Sequence, residues 1–162
     1  MNAQDDLGAA AAVRMCHDLA GAAGAIANGL ELLEGSPDPA LAAEVRDLLR
    51  QSAATLGARL DFFRAVFGLP TGRALKPGMS AQVARTYLSR LGDAQRVYEL
   101  GAFPDDLGDG PEGSRIALTL VMIVPDALPF GGRIALEAKR GLPQLHVAGR
   151  RPPLSAPARA AI

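Results

Sequence analysis

The sequence predicts an α+β protein in which a long helical hairpin is followed by a small α/β sandwich. A helical period of apolar residues runs from about residue 5 to residue 67 with one break. A Gly- and Pro-rich linker covers residues 68–79, and short apolar segments with strand character follow it. We therefore assign residues 1–68 to a helical domain and residues 76–162 to an α/β domain. A mildly acidic first half and a mildly basic second half agree with two units.

The first helix is predicted over about residues 5–34, with acids in its first turn that suit the helix dipole. Its apolar residues recur at spacings of three and four, the pattern of a helix in a bundle: Cys16, Leu19, Ala23, Ile26, Leu30 and Leu33. Residues 35–39 end this helix and begin another. Gly35 is expected at position C′, Asp38 at the N-cap and Pro39 at the first helical position.

The second helix is predicted over about residues 40–67. It carries a broad apolar stripe, and the opposite face is assigned to Arg46, Arg50 and Arg59. A hairpin of two helices buries one stripe per helix and leaves apolar surface uncovered. We therefore expect two copies to pair as a homodimer that contains a four-helix bundle.

The α/β domain is predicted to begin with a helix that Ser80 caps and that ends near residue 91. A strand over residues 96–100 and a loop over residues 103–113 follow. Residues 114–128 are predicted to form a buried helix, with a kink or early end at Pro125. Strands over residues 131–139 and 142–147 are predicted to form a hairpin around Arg140-Gly141.

The composition disfavours several functional classes. The formal net charge is +0, so nothing favours binding to nucleic acid or to an anionic membrane. The longest apolar run, residues 116–124, is too short to span a bilayer. Cys16 is the only cysteine, so no intrachain disulfide is expected, and the two histidines show no metal-site spacing. Residues 1–13 begin with acids rather than bases, so we expect no signal peptide and a cytoplasmic protein.

His17 lies outside the predicted apolar seam of the first helix. On the heptad that the seam defines, His17 falls at position b, and its outer face is shared by Gly21, Gly24, Asn28 and Glu31. Each glycine inside a helix costs roughly 1 kcal/mol relative to alanine, so its presence indicates a packing or docking reason. Small residues beside His17 would let the backbone of a partner approach closely.

These residue types suit phosphoryl transfer. A neutral imidazole titrates near neutral pH and can attack phosphorus to form a phosphoramidate. Asp18 could hydrogen-bond the far ring nitrogen and stabilise the charge that develops, or it could meet a group on the partner instead. Arg14, one turn earlier, could attract phosphate. The alternative is that His17 is an ordinary solvated residue, because His-Asp alone is a weak signal.

A longer motif resembles a known family. Cys-His-Asp-Leu at residues 16–19, followed by Gly-Ala-Ile-Ala-Asn-Gly-Leu-Glu-Leu-Leu at residues 24–33, resembles the phosphoacceptor helix of the ChpT-like dimeric histidine phosphotransferases of bacterial phosphorelays. The resemblance implies that His17 is phosphorylated, that Asp18 is its adjacent acid, and that Asn28 and Glu31 belong to the same face. It also implies a dimerisation domain like that of sensor kinases, plus a degenerate version of their ATP-binding domain.

Some features depart from the family pattern. Gly21-Ala22 replaces a typical Ser-Pro, and the family usually continues into a further helix and strand. Residues 106–110, Asp-Leu-Gly-Asp-Gly, resemble the Asp-x-Gly-x-Gly box of true histidine kinases. In those kinases the box follows a helix that supplies an Asn for magnesium, whereas here it precedes a helix without Asn. We therefore interpret it as a glycine-rich turn and expect no bound ATP.

Two further groups have simpler interpretations. His146 alternates with apolar neighbours on a strand and is expected at the surface. A loose basic group is interpreted as a solvated edge that could meet an acidic partner: Arg133, Lys139, Arg140, Arg150 and Arg151.

We interpret the chain as a phosphotransferase that relays a phosphoryl group between receiver-domain aspartates through His17. Its partners would be receiver domains of a hybrid histidine kinase and of response regulators. It would need no cofactor of its own, since Mg²⁺ would belong to the receiver. A non-catalytic dimeric adaptor that binds receivers remains an alternative, and the missing Asn disfavours an ATP-dependent kinase.

Overall fold

The structure, a computed structural model, describes residues 3–35, 37–68, 78–92, 96–103, 111–139 and 142–150. The chain divides into two compact units, Met1–Leu69 and Pro70–Ile162. In its described part the first unit is helical, and the second combines helices with a three-stranded sheet. The predicted α+β class is confirmed. In the described ranges, every helix is too short or too polar to cross a membrane.

The first unit is a hairpin of α1 (Ala3–Glu34) and α2 (Pro39–Phe67). Asp38 caps α2 as predicted, because its Oδ1 accepts hydrogen bonds from the amides of Ala40 at 2.9 Å and Leu41 at 3.1 Å. Gly68 ends α2 in the left-handed conformation, with φ of 62°, and its amide donates to the carbonyl of Arg64.

The face of α1 that packs on α2 is not the predicted seam. The residues of α1 buried in this contact are Asp18, Ala22 and Gly29. Three residues of the seam are exposed instead: Cys16, Ala23 and Leu30. The physical reason lies at Gly29, where an added Cβ would come within 2.8 Å of Leu49 Cδ2, so α2 approaches α1 where α1 has no side chain. The seam lies beside this contact.

The second unit contains α3 (Met79–Leu91), β1 (Val97–Leu100), α4 (Pro111–Ala127), β2 (Gly131–Lys139) and β3 (Leu142–Gly149). The central strand is β2. It pairs in parallel with β1, with Val97 opposite Gly131, and antiparallel with β3, with Lys139 opposite Leu142. The predicted hairpin of strands is confirmed, although β3 continues beyond residue 147 to Gly149.

The core of the second unit lies where α3 and α4 pack against the sheet and against each other. Its fully buried side chains come from both helices and from the central strand: Tyr87, Leu88, Leu118, Val121, Val124, Ile134 and Leu136. At the start of β2, Gly131 has φ of 75°, and a Cβ there would lie 2.5 Å from the carbonyl oxygen of Val97. Only glycine therefore lets β1 pair with this end of β2.

Two local expectations for this unit are wrong, namely the cap at Ser80 and an early end of α4 at Pro125. No side chain caps α3, which begins after Gly78, and Ser80 is instead buried within its first turn. Pro125 does not end α4, which continues to Ala127, and the amide of Leu128 still donates to the carbonyl of Val124 at 2.9 Å. Close to a helix end, a proline removes one donor without breaking the turns that precede it.

Candidate functional site

His17 projects from α1 into solvent, with 85% of its side chain exposed. The four residues expected on its face are exposed as well: Gly21, Gly24, Asn28 and Glu31. Their spacings of three and four residues align them along one side of the helix. The imidazole therefore stands at one end of an open strip of helix surface.

Asp18 is the next residue, yet only 5% of its side chain is exposed. Its Oδ1 lies 3.5 Å from Nδ1 of His17, at the long limit of a hydrogen bond. A carboxylate can only accept, so this contact favours a proton on Nδ1 and a lone pair on Nε2. The exposed ring thus presents the lone pair of Nε2 to solvent.

Arg14 holds the carboxylate of Asp18 from one turn earlier in α1. Its Nε lies 3.2 Å from Oδ1 and 3.1 Å from Oδ2. Hydrogen bonds between charged groups are about twice as strong as those between neutral ones. The sequence suggested that Arg14 attracts phosphate, and the structure shows that it contacts Asp18.

Arg59 of α2 is a component that the sequence reasoning missed. Its Nη1 donates a hydrogen bond to the backbone oxygen of Asp18, which joins the two helices beside His17. The assignment of Arg59 to the face of α2 away from α1 is therefore wrong. A period of seven could have located it, because the same row of α2 contains three buried residues: Val45, Ser52 and Val66.

The glycines of α1 are of two kinds. A Cβ built at Gly21 or Gly24 would meet no atom of the described residues within 4 Å, apart from its own helix backbone and chain neighbours. At Gly29, in contrast, Leu49 of α2 occupies the space that a Cβ would need. The packing of the hairpin therefore explains Gly29 only, and the two glycines beside His17 leave open surface.

Among the described residues, the other candidate groups form ion pairs on the exposed surface of the second unit. His146 Nε2 lies 3.6 Å from Glu137 Oε2 on the exposed sheet surface, and Arg133 and Arg150 both pair with Glu99. Residues 106–110, Arg140 and Arg151 lie outside the described residues. Within the described ranges, no three His, Cys, Asp or Glu side chains are grouped as metal ligands would be.

Comparison with known proteins adds independent information. No protein-family model matches the chain. The chain is 34% identical over 143 residues to the protein phosphotransferase ChpT of Brucella abortus (strain 2308), across 82% of this chain and 60% of that protein. It therefore spans less than two thirds of that relative's length. It is also similar to a solved structure of a bacterial phosphotransferase, with a TM-score of 0.62 and 28% identity, across 91% of this chain and 68% of the other.

Proposed function

We propose that this chain, a member of the ChpT-like phosphotransferases, relays a phosphoryl group from an aspartyl phosphate on one receiver domain to an aspartate on another. A phosphohistidine at His17 is the intermediate. The observation that carries the proposal is an exposed imidazole whose Nδ1 faces a buried carboxylate, on a helix face left open by glycines. The reaction class of the two relatives supports it.

The chemistry balances without a further reagent. Nε2 of His17 attacks phosphorus, the P–N bond forms as the P–O bond to the receiver's aspartate breaks, and that aspartate leaves as a carboxylate. The ring keeps its proton on Nδ1 and becomes cationic, and Asp18 stabilises that charge. The second half of the relay is the reverse reaction with another receiver. Mg²⁺ belongs to the receivers, and this chain contributes mainly position and charge.

We propose that the chain acts as a homodimer in which two hairpins form a four-helix bundle. The support is apolar surface that one hairpin leaves exposed: Leu30 on α1, with Leu60 and Phe67 on α2. At 100° per residue, Leu30 lies about 140° around α1 from His17. A second copy over this flank would therefore bury Leu30 and leave His17 accessible to a receiver.

We assign residues 76–162 to a degenerate counterpart of the kinase ATP-binding domain, which supports or docks partners and binds no ATP. The support is the sequence of α4, which contains no Asn where the corresponding kinase helix supplies one for magnesium. A relay that receives its phosphoryl group from another protein has no need of a nucleotide. We expect this relay to operate in the cytoplasm.

The test is a phosphotransfer assay. A receiver domain that carries radiolabelled aspartyl phosphate is mixed with the full chain, and acid-labile label is expected on this chain and then on a second receiver. His17→Ala should abolish the label. His146→Ala removes the other histidine of the chain and should leave labelling intact.

Each alternative has its own outcome in this assay. Label that survives His17→Ala would contradict the proposal. Receiver binding without any transfer would indicate the dimeric adaptor. Labelling from ATP, with no other protein present, would indicate a kinase.

A further inference from the structure

A groove of about 300 Å³ lies between α1 and α2 on the side of His17. Gly21, one turn after His17, and Ala22 form its α1 side. The α2 side carries the exposed Leu48 and four polar side chains: Gln51, Ser52, Thr55 and Arg59. Because Gly21 shares the exposed face of His17, a protein docked on this face of α1 would also lie over the mouth of this groove.

Arg59 has a buried donor in the groove that lacks an acceptor. Its Nη1 donates to the backbone oxygen of Asp18, but its Nε is buried and finds no hydrogen-bond partner among the described residues. Three other arginines of the hairpin each pair with an aspartate: Arg14, Arg50 and Arg64. Arg59 takes part in none of the ion pairs found in the described part of the chain. Arg59 as a whole is half-buried, but a buried N–H such as its Nε is costly unless a partner is supplied.

The geometry points to a carboxylate as that partner. The Nε edge of a guanidinium presents two parallel N–H donors that match the two oxygens of a carboxylate. The hydroxyls of Ser52 and Thr55 and the amide of Gln51 add donors on the same side of the groove. A neutral acceptor would satisfy Nε alone and would leave the charge of Arg59 uncompensated.

We propose that this groove binds an Asp or Glu side chain of the docked receiver, and that Arg59 is the docking residue; the inference rests on the proposed function. We assign the groove to the receiver and not to a second copy of this chain, because the groove lies beside His17 and contains the charge of Arg59, whereas Leu30 lies about 140° around α1 from His17. Arg59 bonds to Asp18 through Nη1, so one residue links the receiver's carboxylate to the segment that carries His17. Docking in the groove thereby adds affinity for a receiver on the face of α1 that carries His17.

The test observes Arg59 Nε directly by NMR of the ¹⁵N-labelled full chain. The Nε–Hε signal of Arg59 is assigned as the one that disappears in Arg59→Lys. Addition of an unphosphorylated receiver domain should shift this signal and slow its exchange with solvent. A titration with acetate alone should shift it only at far higher concentration, since the free anion lacks the rest of the docking surface.

Affinity and kinetics give the matching readout. Arg59→Lys keeps the charge but lacks the Nε fork, so the receiver should bind roughly tenfold more weakly. The transfer rate at saturating receiver should change much less, a split between KM and kcat that a merely structural role would not produce. The control is Arg64→Met, an exposed arginine of the same helix, which should bind the receiver like the wild type.

The outcomes separate this inference from the proposed function. If backbone signals around His17 shift on receiver binding while Arg59 Nε does not, the groove inference is overturned and the relay stands. If Nε responds to dilution of the chain alone, a second copy occupies the groove and the inference is overturned. If no signal responds to any receiver and no transfer occurs, both fail.

Discussion

The two units of this chain differ in what they bury. Seven of the eight largest fully buried side chains of the described residues belong to the second unit, and only Phe62 belongs to the hairpin. The hairpin instead buries the carboxylate of Asp18 and exposes half of the surface of Leu30. The second unit thus has the larger packed core, whereas the hairpin encloses a charged group and leaves apolar surface exposed at Leu30. The proposed phosphoacceptor, His17, lies on the hairpin, on the same helix as Asp18 and Leu30.

The prediction with the largest expected effect concerns Asp18, the buried charge of the hairpin, and the rate of phosphoryl transfer. Asp18→Asn keeps the size of the side chain but removes the charge that faces His17 Nδ1 and pairs with Arg14. We expect phosphoryl transfer to His17 to slow about a thousandfold, within the range that acid–base groups contribute. Single-turnover transfer from a labelled receiver measures this rate.

The matched control for that variant is Asp61→Asn, an exposed aspartate of α2 that also pairs with an arginine. Its transfer rate should stay within about twofold of the wild type, because exposed ion pairs contribute little. Equal rates for the two variants would mean that burial of Asp18 has no bearing on the reaction.

The next effect tests the self-contained core of the second unit. Leu136→Ala removes a fully buried side chain of the central strand and should lower the free energy of unfolding of this unit by about 3 kcal/mol. Both tyrosines, Tyr87 and Tyr98, lie in this unit, so urea unfolding followed by tyrosine fluorescence reports on it selectively.

The control for the core is Val147→Ala, which truncates an exposed valine of β3. It should change the free energy of unfolding by no more than about 0.5 kcal/mol. If the two truncations shift the tyrosine transition equally, the second unit does not have the packed core described above.

The sequence could predict those features of the site that depend on one helix, but not those that depend on how two helices pack. The exposure of His17 and the position of its glycines follow from helical periodicity within α1, and both were predicted. The role of Arg59 depends on which turn of α2 faces Asp18, and the close approach at Gly29 and Leu49 sets that register. Because these residues are distant in sequence, the pattern of either helix alone could not locate the contact.

The seam of α1 shows the same limit in another form. Its apolar spacing predicted a packed face, but in the proposed dimer α1 would have two packing partners, namely α2 and a second copy. The periodicity could not say which partner takes the seam. In the structure, α2 packs on the face of α1 that carries the small residues Ala22 and Gly29. Leu30 of the seam is exposed and is not buried by α2.

The next prediction, of intermediate size, tests the apolar surface that the hairpin leaves exposed at Leu30. Leu30→Glu places a charge on the apolar flank proposed for the dimer, and should weaken dimerisation by roughly 2 kcal/mol, or about thirtyfold in Kd. Sedimentation equilibrium measures this constant. Leu32→Glu is the matched control, because Leu32 is equally exposed but lies about 160° away from Leu30 around α1. A monomeric wild type, or equal weakening by both variants, would rule out this flank as the dimer interface.

The smallest effect compares the two kinds of glycine. Gly21→Ala adds a methyl group in open space, so it should stabilise α1 by about 1 kcal/mol through helix propensity alone. Gly29→Ala gains the same propensity but must displace Leu49, so its net change should be lower by about 1 kcal/mol or more. Thermal unfolding followed by far-UV circular dichroism measures the difference.

Gly21→Ala should also slow transfer from the receiver although it stabilises the helix, because the methyl group occupies surface that the docked protein needs. A faster or unchanged transfer rate in Gly21→Ala would mean that this glycine is not retained for docking.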